Sequence, residues 1–201
     1  KPASGTKVGA GTVNVNGGTL RVNDDVQMAT TPDGTGANGT LNINGGTAMV
    51  AGDITDGGGT STINVNLGTL DMQPAGDPTP GNITADTLAI GNNGTAVVTN
   101  AASISSPAIT IGFGGSIAGN TSMDIGNDGT GLFDSSSVGG FTLNGTFQGS
   151  GTVSGDFIQS PGAAIIVGGA NAGGSLTFYN NLTLGGGELA FDLSCNAAGA
   201  N

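Results

Sequence analysis

Apolar and polar residues alternate with a period of two along much of this chain. Val13 and Val15 share one side of an extended segment, and Asn14 and Asn16 share the other. Leu41 and Ile43 alternate in the same way with Asn42 and Asn44, and Ile63 and Val65 with Asn64 and Asn66. A two-residue period marks a β-strand with one face buried. A Gly-Gly or Leu-Gly step follows each of these segments, and then a second apolar pair: Leu20 with Val22, Ala48 with Val50, Leu70 with Met72. Arg21, Met49 and Asp71 lie between the members of those pairs, and so varied a position suits solvent. The pattern predicts short strands, about four or five residues each. It places Val13, Val15, Leu20, Val22, Leu41, Ile43, Val50, Ile63, Val65 and Leu70 toward the core.

These strand pairs are copies of one phrase. Gly11–Leu20 returns as Gly39–Ala48 and again as Ser61–Leu70, with the shared Thr at 12, 40 and 62. A unit recurring every 20 to 50 residues is the signature of stacked coils. Asn-Gly and Asp-Gly steps such as Asn16-Gly17, Asn44-Gly45 and Asp128-Gly129 supply the positive φ that tight bends need. A hairpin sheet uses the same dipeptides, but here the phrase recurs at coil spacing. No 3.6-residue periodicity signals a helix. The fold class expected is all-β, a parallel β-solenoid of roughly nine coils, with a rod length on the order of 40 Å.

One domain over residues 1–201 accounts for the chain, because no break in composition divides it. Regular repeats occupy about 10–72, and a Pro-rich excursion at 73–81 reads as a projecting loop. Looser, bulkier coils fill 82–194, where five of the seven Phe lie at or after residue 141. A short tail, 195–201, ends the chain. Neither end shows a recognisable capping motif, and an unpaired solenoid edge recruits a cap or another chain.

The Gly-Thr-Leu-Asn-Ile-Asn-Gly-Gly-Thr phrase resembles the β-strand repeats of bacterial autotransporter passengers and related extracellular adhesin-like proteins. The run from Gly149 to Phe157, and then Leu182-Thr183-Leu184 and Glu188–Leu193, is similar to the same repeat. The match covers roughly residues 10 to 70 and 140 to 194. The resemblance implies a right-handed solenoid, secretion to the cell surface or beyond, and a structural or adhesive role. Residues 1–201 do not include the membrane barrel or sorting signal that often ends such proteins, so its removal, a fragment of a longer chain or a free secreted subunit is expected.

Charge narrows the partners. Fourteen acidic residues face three basic ones, giving a net charge of −11, and Lys1, Lys7 and Arg21 are the only cations. Nucleic acid and anionic membrane surfaces both require clustered Lys and Arg, so neither is an expected partner. No run of 18 apolar residues offers a membrane span. The first residue is Lys1 rather than Met, as expected of a processed product.

Little in the sequence points to catalysis. Solenoid lyases set a basic side chain opposite a metal-bearing carboxylate, but there is no His and the cations stop at Arg21. Glycoside hydrolases need two carboxylates about 5–9.5 Å apart. Asp24 and Asp25 are adjacent and would point to opposite faces, while Asp53 and Asp56 flank a bend. With one Tyr and no Trp there is almost no aromatic platform for a sugar. Cys195 is the single cysteine, so no internal disulfide forms and no His activates it; pairing between subunits is its alternative use. Calcium is the one cofactor the residues would suit: Asp124, Asn127 and Asp128 form the densest group, although ordinary Asx turns are the plainer explanation. The outward Asn and Thr rows predict either a plain polar face or amide ladders between coils. Asn38, Asn93 and Asn144 each begin an Asn-Gly-Thr glycosylation pattern.

The function expected is that of a secreted structural protein whose solenoids stack end to end through their terminal coils into an extracellular fibre, matrix or surface layer. A surface adhesin or glycan-binding passenger ranks second, with the 73–81 loop as a binding face. A polysaccharide lyase or hydrolase ranks third.

Overall fold

A computed structural model gives the structure of residues 9–30, 37–76, 78–91, 94–112, 115–118, 121–126, 128–168 and 174–191. The described residues wind through eight rungs. The first two hold β1 (Ala10–Val22) with β2 (Val26–Met28), and β3 (Asn38–Val50) with β4 (Ile54–Asp56). The third holds β5 (Thr60–Val65), β6 (Gly68–Asp71) and β7 (Asn82–Thr84); the fourth holds β8 (Thr87–Ile90), β9 (Ala96–Thr99) and β10 (Ser103–Ser105). The fifth holds β11 (Ala108–Ile111), β12 (Gly115–Ala118) and β13 (Ser122–Asp124); the sixth holds β14 (Gly131–Asp134), β15 (Phe141–Leu143) and β16 (Thr146–Gly149). The seventh holds β17 (Gly151–Ser154), β18 (Phe157–Gln159) and β19 (Ala164–Val167); the eighth holds β20 (Leu176–Phe178), β21 (Leu182–Leu184) and β22 (Glu188–Phe191).

The solenoid therefore has three faces, and every pair of neighbouring strands within them is parallel. The solenoid makes about seven turns rather than the nine expected from the repeat. The difference lies in coil length. Successive rungs of the first face are offset by 28, 22, 25, 21, 24, 20 and 25 residues, because corners of unequal length separate strands of nearly constant length. Seven steps at the inter-strand spacing make the stack about 34 Å tall.

The Thr repeat is the stacking register itself, since Thr12 pairs with Thr40 and Thr40 with Thr62. Two features depart from the pattern read in the sequence. β1 and β3 each run for 13 residues around a corner instead of stopping at it, and their mutual ladder slips between Val15 and Thr19. Gly18 and Gly46 take positive φ at that corner, and a Cβ on Gly46 would collide with the carbonyl oxygen of Gly18. The second face is also interrupted between β12 and β15, where a single 3-10 turn, Ser136–Val138, intervenes and Ser137 donates its hydroxyl to the Ile111 carbonyl.

The core is a set of vertical columns. Leu41, Ile63, Leu88, Ile109, Phe133 and Val153 are stacked in register and all buried. Of the residues expected inside, Val15, Leu41, Ile43, Val50, Ile63, Val65 and Leu70 are buried, and Leu20 and Val22 are half-buried. Val13 departs from its expected burial: it belongs to the inward column yet is 52% exposed, because no described strand stacks on that side of β1. In the upper rungs the core becomes aromatic. Phe133 meets Phe141, Phe147 and Phe157 at centroid distances of 5.0, 5.5 and 5.7 Å, edge to face in each case.

Candidate functional site

The outward rows of the first face are amide ladders. Asn42 donates its Nδ2 to Asn14 Oδ1 at 2.8 Å, and Asn64 donates to Asn42 at 2.8 Å. One column further on, Asn44 donates to Asn16 at 2.9 Å and Asn66 donates to Asn44 at 2.8 Å. Each amide thus bonds its counterpart one rung lower. Three of the four bonds are exposed, so there each amide exchanges water for its neighbour rather than escaping an unmet bond.

The carboxylates are used in the same structural way. Asp25 Oδ1 accepts the Asp53 backbone N–H, and Asp53 Oδ1 accepts both the backbone N–H and the side-chain amide of Asn82. Asp86 and Ser61 clasp each other: the carboxylate accepts the Ser61 backbone N–H, and the Ser61 hydroxyl accepts the Asp86 N–H. Asp156 accepts the backbone and amide N–H groups of Asn181. A row of acids that reads as a surface charge is largely a set of caps for corner amides.

The calcium candidates are likewise taken up locally. Asp124 ends β13, where Oδ1 accepts the Gly126 N–H and Oδ2 accepts the Gln148 amide at 2.6 Å. Asp128 is exposed and accepts both the backbone N–H and the hydroxyl of Thr130, which hold its carboxyl below the usual aspartate range. Asn127 lies outside the described residues, as do Cys195 and Asn93. Among the described residues, no three His, Cys, Asp or Glu side chains gather where they could hold a metal ion. Asp24 and Asp25 sit in the first bend, while Asp56 ends β4 with its Oδ1 buried and unpaired.

The ends of the stack differ from its walls. At the first rung an open apolar mouth of about 550 Å³ lies between β1, β2 and the floor made by β3. Val13, Leu20, Val22, Val26, Met28 and Leu41 are among the residues that line it. At the last rung the apolar residues are larger and protrude: Tyr179 is 71% exposed, Phe191 58% and Leu184 50%. Among the described residues, four of the seven exposed large hydrophobic side chains thus belong to the two end rungs, where exposed apolar area marks an interaction surface.

No protein-family model, curated protein or solved structure matches the chain. Its own surfaces are the guide to its use. Besides the ends, the third face carries a shallow groove of about 240 Å³ among Ser103, Ser105, Ser122, Asp124, Thr146 and Gln148. Hydroxyls, an amide and a carboxylate on one flat patch suit hydrogen bonding to a polar polymer. The 73–81 segment leaves the wall after β6 and returns before β7, its ends tied by the Gly81 N–H to the Met72 carbonyl at 2.9 Å. Sequence reasoning located the ladder residues but missed the mouth. Among the described residues, no helix is long and apolar enough to cross a membrane.

Proposed function

We propose that this protein is a structural element outside the cell, whose solenoids associate through their end rungs into a fibre, matrix or surface layer. The observation that carries this is Val13. Its column mates Leu41 and Ile63 are buried while Val13 is half bare, so the first rung has the shape of an interior surface without its cover. Burying such a surface is favourable at about 25 cal/mol per Å² of apolar area. Among the described residues no strand pairs with the outer edges of β1 and β2, which adds backbone donors and acceptors at the same place. The acids serve as corner caps, which is the use expected of them in a scaffold. Sedimentation velocity and negative-stain electron microscopy across a concentration series test the reading. Concentration-dependent rods lengthening in steps of one solenoid support it, and a single monomeric species at every concentration refutes it.

The polar groove on the third face favours a second reading, a glycan-binding surface protein. Binding to a polysaccharide array that survives deletion of 75–80 but is lost on Ser105→Trp, which fills the groove, would support that reading.

A further inference from the structure

The geometry points to a head-to-tail contact between two copies of this chain, with the aromatic last rung of one seated in the apolar mouth of the next. This rests on the reading that the solenoids self-associate and adds the polarity and the register of the contact.

Strand direction comes first. All strands within each face are parallel, so placing the eighth rung beneath another copy's first rung continues every ladder in the same sense. Joining two first rungs, or two last rungs, reverses the chain direction across the seam. The inward columns then match apolar to apolar. The column that starts at Val13 ends at Phe178, and the one that starts at Val26 ends at Leu189. Met28 and Phe191 lie two residues further along their strands, in one more shared column. A cavity of about 150 Å³ holds one benzene ring, so a mouth of about 550 Å³ has room for two aromatic side chains and their neighbours. Two such mouths face to face would instead enclose a void, and voids destabilise.

The amide ladder has a direction as well. Each Asn donates toward the first rung, so Asn14 ends the row with its Oδ1 occupied by Asn42. In the proposed register the neighbour on its other side is Tyr179, whose phenol oxygen is an acceptor. Charge opposes the register in one column, where Glu188 would meet Asp25.

Two substitutions at exposed positions test the polarity with the full chain. Val13→Asp blocks the mouth and Phe191→Asp blocks the plug, and both sites are more than half exposed, so far-UV circular dichroism should stay that of the parent. Each variant alone should associate at least tenfold more weakly than the parent by sedimentation velocity. An equimolar mixture should form one-to-one dimers that grow no further, because one good mouth and one good plug remain. If Phe191→Asp alone still dimerises, the contact is mouth to mouth, and if Val13→Asp alone still dimerises, it is plug to plug; either result overturns the proposal. A parent chain that never associates refutes the stacking reading itself. Register is tested separately: Glu188→Lys, which would face Asp25, should tighten association severalfold, and an unchanged or weaker contact overturns the register.

Discussion

Asn42 receives a hydrogen bond from Asn64 and gives one to Asn14, so a single amide links three consecutive rungs. Asn42→Ala removes both bonds, each worth about 1 kcal/mol net. The expected loss is about 1–2 kcal/mol, or about 3–6 °C in Tm for a chain of this size. Asn14→Ala at the end of the row removes one bond and should cost about half as much. Thermal melts of the two variants side by side check the ratio; equal losses would mean that the ladder is ornamental.

Phe133 is fully buried and touches three other rings. Phe133→Ala leaves a cavity that stiff strands cannot collapse, so a loss of about 3–5 kcal/mol is expected. Phe133→Leu keeps most of the volume and should cost clearly less. Urea denaturation measures both.

Asp56 should behave in the opposite way. Its Oδ1 is buried without a partner, and such an atom carries a desolvation penalty of about 1–3 kcal/mol. Asp56→Ala removes that oxygen and is expected to raise stability by about 1 kcal/mol. A destabilised Asp56→Ala variant would show that the carboxylate has a structural use.

Asp128 titrates low because the Thr130 backbone N–H, and then the Thr130 hydroxyl, stabilise its charged form. A depressed folded value means that the carboxylate's contribution is present above the unfolded value of about 3.9 and is lost as pH falls through the lower folded one. NMR titration should place the Asp128 midpoint below 3.9. Thr130→Ala keeps the N–H and removes the hydroxyl, so the midpoint should rise part of the way back. An unmoved midpoint would exclude the hydroxyl as a cause.

The columns were legible because their information is local. Alternation of Val13, Asn14, Val15 and Asn16 states which residues share a face, and the Thr spacing states what stacks on what. The Asn ladders follow from those two facts together. What was not legible depends on neighbours that the sequence does not name. Val13 carries the same signal as Leu41, but its burial depends on whether another rung covers it. The clasp between Ser61 and Asp86 joins residues 25 apart across corners of unequal length, and nothing at either residue announces it. The turn at Ser136–Val138 breaks the second face without any Pro, and its residues read like those of any other corner. Coil number was misjudged for the same reason: strands reveal themselves by alternation, but corners do not reveal their length.

The bond from Gly81 to the Met72 carbonyl closes the neck of the 73–81 segment where it leaves the wall. Pro74 just past the neck is buried, while Ala75, Gly76 and 78–80 are exposed. Substitutions at those exposed positions should change what the outside world meets while costing the wall little. The protein thus separates two kinds of inheritance: strands held in register by the strands beneath them, and an exposed corner tip with room to diversify.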